Sequence, residues 1–204
     1  MSHKTYPQAS LAELWFLSYP LIVTMASQVV MQFVDRMFLA WYSHDALAAC
    51  VPGGVLAMTF GSLFMGLATY TSVFISQYYA KRKFASVTVS LWQGILLAVL
   101  SSVLLASLTP AGNGVIKMFN HGPQVTALEV QYFTILNLFG GFSVINNALA
   151  SFFSGRGKTK VPMYTSLFGN AVNIVLDYVM IFGKLGFPEM GITGAAWATV
   201  LGTA

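Results

Sequence analysis

Asp35 and Asp177 lie inside stretches of chain otherwise apolar enough to cross a bilayer. A carboxylate at the centre of a membrane helix costs about 2.5 to 3.5 kcal/mol on insertion-based scales, so acids kept there are expected to be used. The chemistry open to them is the uptake and release of a proton. Each acid ends a polar stripe. Thr24, Gln28, Gln32 and Asp35 are spaced by four, four and three, and Ser166, Asn170, Asn173 and Asp177 by four, three and four, which puts each set on one face of a 3.6-residue helix. Both faces should meet protein or water. Gln28, Gln32 and Asn170, with Asn147 in the fourth apolar stretch, are candidates for a substrate cavity. Interhelical glue explains such amides equally well, at about 0.6 kcal/mol per bond. It explains the acids less well, because an amide would serve without the desolvation cost. One proton moved through 100 mV is worth about 2.3 kcal/mol, against about 1.4 kcal/mol for a tenfold solute gradient, so electrical drive alone supports more than tenfold accumulation.

Pro20 falls inside the first apolar stretch, where it removes one backbone hydrogen bond and clashes with the carbonyl of Phe16, giving a kink or a hinge. Pro52, Gly53 and Gly54 read as close-packing residues. Met31, Met58, Met65 and other methionines, with nearby phenylalanines, could line a pliable cavity, although ordinary packing accounts for them as well. Glu13 and Glu129 sit near helix starts, where the dipole favours an acid, and read as structural. Arg36 points about 100° away from Asp35 and is expected to snorkel outward.

Soluble enzyme chemistry finds no support. His3, His44 and His121 lie at the terminus or in connections and make no metal-ligand pair or membrane-embedded dyad. Gly155-Arg156-Gly157-Lys158-Thr159 ends like a phosphate-binding loop, but position 152 is Phe where that motif needs Gly. No cofactor is expected. Cys50 is the only cysteine, so no intrachain disulfide can form.

The elements that must hold these residues follow from composition. Of 204 residues, 56% are hydrophobic and only 8% charged, with a mean hydropathy of +0.71. That is an all-α, multi-pass membrane protein, since long unalternating apolar runs exclude a barrel. Predicted helices cover Leu11 to Trp41, Asp45 to Tyr79, Phe84 to Leu108, Gln124 to Phe153 and Val161 to Phe182, with a sixth from Gly191 to Ala204. Connections alternate between a basic type and a Gly/Pro type such as Pro110-Ala111-Gly112-Asn113-Gly114. Seven of the ten Lys and Arg residues fall on the side of the N-terminus, Lys4 among them, which the positive-inside rule makes cytoplasmic. The net charge of +4 therefore marks topology and not nucleic acid. A plasma membrane, bacterial inner membrane in the simplest case, is the expected location, with no cleaved leader. At a rise of 1.5 Å per residue, Asp35 lies about 36 Å and Asp177 about 24 Å from their cytoplasmic helix ends, both toward the outer half.

In order along the chain, Pro20, Gln28 and Val34-Asp35, then Leu47-Ala48-Ala49, Ser76-Gln77, Ser154-Gly155-Arg156-Gly157, Asn173-Ile174-Val175-Leu176-Asp177 and Gly191-Ile192-Thr193-Gly194-Ala195-Ala196-Trp197-Ala198-Thr199 form a pattern. It resembles the multidrug and toxic compound extrusion (MATE) transporters, closest to their DinF-like, proton-coupled branch. The resemblance implies a six-helix transmembrane bundle, the N-terminal lobe of a twelve-helix, two-lobe transporter whose C-terminal lobe lies outside this chain. It implies a protonation network of Asp35, Asn173 and Asp177, joined by Tyr132 and Thr199. Met31 stands where some relatives carry Tyr one turn before the helix 1 Asp. The resemblance further implies drug/proton antiport of small hydrophobic, often cationic drugs in contact with membrane lipid, driven by bending of helix 1 at Pro20. A sodium-coupled exporter of the same family is the first alternative. A lipid-linked precursor flippase, which would want several cavity cations where only Arg36 offers, is the second. A membrane scaffold is a third, and a channel fits less well because the acids mark one local site.

Overall fold

The computed structural model describes residues 11–203, the side chains of Glu13 and Leu17 excepted. The readings made at Lys4, His3, Ala204 and the side chain of Glu13, and the expectation of an uncleaved N-terminus, lie outside the described residues. Among those described, every regular element is helical: α1 (Leu11–Tyr42), α2 (His44–Ala80), α3 (Phe84–Met118), α4 (Pro123–Leu138), α5 (Gly140–Gly155), α6 (Lys160–Ile181) and α7 (Gly191–Thr203). α1, α2 and α3 are each long and apolar enough to cross a bilayer, and α4 with α5 forms a bent pair, at 41°, that passes the same test as one span. α6 carries the second polar stripe, which dilutes its apolar content. Counting the bent pair once gives the six-helix bundle.

Large apolar side chains cover the outside, with Trp15, Trp92, Leu96, Val103 and Phe168 all exposed. The interior holds small residues, including Ala46, Ala49, Ala68, Ala98, Ala148, Ala195, Ala196 and Ala198. This inversion of the soluble pattern is what a lipid solvent asks for, because apolar surface gains nothing by leaving hydrocarbon and helices associate through close backbone approach. α2 is central, packing on α3, α4 and α5, while α1 packs on α6 and α7 fits between α6 and α4.

Two expectations need correction. The fourth span is not one helix over 124–153. It breaks at Phe139, between Leu138 and Gly140, where two glycines open α5 and the Phe142 amide donates to the Phe139 carbonyl in a tight turn. Gly141 is required there because a Cβ would run into the Ser102 side chain of α3. The third helix does not stop at Leu108 before a Gly/Pro connection. α3 continues through Pro110 and Gly112 to Met118 because tertiary contacts overrule local propensity. The Phe133 ring of α4 occupies the space a Gly112 side chain would need. One turn earlier, the buried Asn137 amide donates to the Leu105 carbonyl at 2.6 Å and to Thr109 Oγ1 at 2.9 Å. Asn137→Leu should therefore lower stability by about 1 kcal/mol, two membrane hydrogen bonds at the usual worth. A thermal melt of the detergent-solubilised protein checks this, and an unchanged midpoint would show that the bonds hold nothing.

Six of the nine described Lys and Arg residues, Lys81, Arg82, Lys83, Arg156, Lys158 and Lys160, lie in or beside the α2–α3 and α5–α6 connections at one end of the bundle. Arg156 lies over the rings of Phe152 and Tyr79, at 4.8 and 5.5 Å, and the Lys160 ammonium sits 5.1 Å from the Phe16 ring at the start of α1. The opposite end carries the short connections after α1, α3 and α6.

Candidate functional site

A cavity of about 330 Å³ opens between α1, α2, α4, α5 and α7. α1 contributes Met31, Gln32, Asp35 and Arg36, α2 contributes Cys50, Met58 and Met65, α4 contributes Tyr132, and α7 contributes Thr199. Helical spacing explains the α1 set, since residues 31, 32, 35 and 36 share one face. Small residues explain the space, for Gly54, Ala57, Gly61 and Gly140 all lie on the wall.

Asp35 is buried, with 8% of its surface exposed, and its Oδ1 has no hydrogen-bond partner. Off the cavity wall, Asn173 and Asp177 of α6 are buried to 1% and 0% exposure. Both polar atoms of the Asn173 side chain and both carboxylate oxygens of Asp177 lack a partner. The two carboxylates are close enough to act on each other electrostatically, and the buried Tyr132 hydroxyl lies in the field of both. Burying three such groups without fixed donors is costly. It leaves the carboxylates free to change partners, with a proton, a cation or water as the exchange.

The backbone seats this cluster tightly. A Cβ on Gly202 of α7 would lie 2.6 Å from the Asn173 Cβ, and a Cβ on Gly194 would lie 2.8 Å from the Met180 carbonyl. Thr199 spends its hydroxyl on the Ala195 carbonyl at 3.0 Å while facing the cavity.

Of the sequence-derived candidates, Asp35, Gln32, Tyr132 and Thr199 come together on the cavity wall, whereas Asn173 and Asp177 are buried on α6 and are not part of it. Gln28 is exposed on α1 and is not on that wall. Asn170 and Asn147 are also elsewhere. The Asn170 amide donates to Ser27 Oγ at 2.7 Å, tying α6 to α1, and Asn147 Oδ1 accepts from Thr69 Oγ1 at 3.1 Å, tying α5 to α2. Pro20 is fully buried in an unbroken α1, and the Thr24 hydroxyl donates to its carbonyl at 2.8 Å. Gly53 and Gly54 do act as packing residues, since a Cβ on either would meet the Tyr132 ring at 3.3 and 3.6 Å. Arg36 is exposed, as anticipated, yet it lines the same cavity as Asp35, so its charge enters the site's field. Cys50 on that wall carried no usable sequence signal, because a lone cysteine in an apolar run reads as packing. Glu129, read from the sequence as a structural acid near a helix start, lies off that wall. It is fully buried on α4, with His121 Nδ1 2.6 Å from its Oε1.

The sequence profile of the family described as MatE matches residues 20–179, which takes in both acids and the whole of α2 to α5. Among curated proteins, the chain is 31% identical over 191 residues to "Probable multidrug resistance protein NorM" of Thermotoga maritima, covering 93% of this chain and 41% of that protein. It is 28% identical over 193 residues to "Probable multidrug resistance protein YoeA" of Bacillus subtilis, covering 90% and 40%. A solved structure described as the outward-facing conformation of a multidrug resistance MATE family transporter of the MOP superfamily superposes with a TM-score of 0.81 at 25% identity, over 94% of this chain and 42% of that one. The chain thus spans about two fifths of the length of these relatives. On the profile match over most of its length and the superposition on about two fifths of a MATE transporter, the chain belongs to the MatE family of membrane transporters and corresponds to the N-terminal lobe of a two-lobe member.

Proposed function

We propose that this lobe belongs to a secondary active multidrug exporter that exchanges drug for protons, with Asp35 and Asp177 as the coupling carboxylates. One observation carries the reading: two buried acids with oxygens that have no hydrogen-bond partner, one on the wall of a cavity rich in thioether and apolar surface and the other on α6, close enough to act on it electrostatically. Small hydrophobic drugs suit that wall, and a cationic group on the drug suits an ionised Asp35. Protonation of Asp35 removes the attraction. Asn173, Tyr132 and Thr199 then rearrange around the neutral acids, α1 bends at Pro20, and the cavity shrinks and expels its drug. The basic end of the bundle, with Lys81, Arg82, Lys83, Arg156, Lys158 and Lys160, faces the cytoplasm of a bacterial inner membrane, which places the opposite end outside. A C-terminal lobe supplies the other half of the translocation path, and lipid covers the exposed apolar helices.

Sodium coupling is the second reading, favoured by one observation: Asn173 Oδ1 and both Asp177 oxygens are hard donors without partners. Efflux of a fluorescent cation by the full-length protein, with the proton and sodium gradients collapsed separately, decides between them. Collapse of the proton gradient alone should stop efflux. Arrest by collapse of the sodium gradient alone would overturn the proton reading.

A further inference from the structure

Glu129 is the other fully buried acid, and the coupling scheme above makes no use of it. Its Oε1 meets His121 Nδ1 at 2.6 Å, the sole ion pair among the described residues, while its Oε2 is buried without a partner. His121 sits in the connection between α3 and α4, against the Phe119 ring, with 43% of its side chain exposed. One member of the pair therefore touches water and the other does not.

α4 also stands between two cavities. At the His121 end, Leu128 and Gln131 border a polar pocket of about 490 Å³ shared with Asp45 and Glu189. One turn further on, Tyr132 borders the inner cavity that holds Asp35. Glu129 lines neither cavity, but it follows Leu128 of the outer pocket in sequence and lies three residues, nearly one helical turn, before Tyr132 of the inner one. Gly53 of α2 keeps the wall thin here, since a Cβ on it would meet both the Glu129 carbonyl and the Tyr132 ring at 3.3 Å.

We propose that His121 and Glu129 form a proton-transfer pair that passes protons from the outer aqueous side to the inner cavity, upstream of Asp35. The inference rests on the proton-coupled reading above. In the step, water delivers a proton to His121 Nε2 and the Nδ1 proton moves to Glu129 Oε1, so the ring returns to neutral and the carboxylate becomes a carboxylic acid. Rotation of the protonated carboxyl carries that proton from the Oε1 side to the side of the partnerless Oε2, from which it passes on toward the inner cavity and leaves a carboxylate. The ring, left with its proton on Nε2, flips or exchanges that proton through water to restore Nδ1–H before the next transfer. The titratable groups around that end are Tyr42 of α1, His44 and Asp45 of α2, Lys117 of α3, Tyr132 of α4 and Glu189 before α7. Asp45 and Glu189 on the outer pocket would hold protons near the pair.

A purely structural pair would only latch the α3–α4 connection onto α4, and the two roles separate in proteoliposomes of the full-length protein carrying an internal pH dye. His121→Ala should slow drug-linked proton movement about tenfold or more, because a positioned proton carrier is lost. Drug affinity should stay within about twofold, because His121 does not line the cavity. Added imidazole, a diffusible substitute for the missing ring, should restore the rate. Glu129→Gln should show the same loss without rescue, and Asp35→Asn should show no proton movement with or without imidazole. Normal proton movement in His121→Ala overturns the pair. So does a loss that imidazole fails to restore and that tracks drug affinity and melting temperature. Absence of drug-linked proton movement in the unaltered protein is a different result, which overturns the exporter reading and this pair with it.

Discussion

Asp35→Asn in the full-length protein is expected to cut pH-driven efflux of a fluorescent cation from energised vesicles by about a hundredfold or more, the scale on which a positioned proton carrier matters. The substitution keeps the shape of the side chain and its place on the cavity wall, so packing around α1 should survive. It removes the one property the scheme needs, because an amide takes up and hands over no proton in the cycle. Residual transport should no longer depend on the pH difference, since nothing on the wall then reports it. Binding measured without a gradient should weaken far less than the rate, as most of the lining is apolar. Asp177→Asn makes the comparison sharper. It is buried and not on the wall, so its loss should spare drug binding more fully while still damaging coupling. Full pH-driven efflux by Asp35→Asn would remove this carboxylate from the mechanism.

Much of the fold can be read from residue order because the membrane leaves few alternatives. Long uncharged runs have to be helices, and both ends of α2 and α6, the last residue of α1 and the first of α7 fall within two residues of where composition and charge put them. The departures arise where one helix answers to another. Pro110 and Gly112 look like a connection in isolation, yet the Phe133 ring and the Asn137 amide, more than twenty positions away, hold that stretch in α3. The break at Phe139 has the same origin, since its glycines serve the approach of α5 to α3 and their role is invisible without Ser102. The site divides along similar lines. Acids in apolar runs announce themselves by cost, whereas amides do not, and Asn147 and Asn170 turn out to be committed to Thr69 and Ser27. Glu129 escaped because an acid near the start of a helix has a ready explanation in the dipole. Its full burial and its histidine partner depend on α2 and on the α3–α4 connection, neither of which a local reading supplies.

Gly169→Val is expected to be the most damaging single change to the lobe itself. α6 and α7 cross with backbone against backbone at two points, Gly169 on Gly202 and Gly194 on Met180, and at the first a Cβ on Gly169 would run into the Gly202 carbonyl. Backbone cannot swing aside as a side-chain tip can, so a branched residue here should cost about 3 kcal/mol or more, at or above the upper end for overpacking. Relief would require α7 to lift from α6. That movement uncovers Asn173, against whose Cβ a Cβ on Gly202 would lie at 2.6 Å, and loosens the helix that also carries the buried Asp177. The variant should lose most of its folded, monodisperse fraction on size exclusion, and whatever survives should couple poorly. Gly66→Ala provides the contrast on α2, since a Cβ there meets nothing within 4 Å and an exposed helical Ala gains up to about 1 kcal/mol over Gly. If Gly169→Val eluted and melted like the unaltered protein, the close crossing of α6 and α7 would not be what holds the second acid in place.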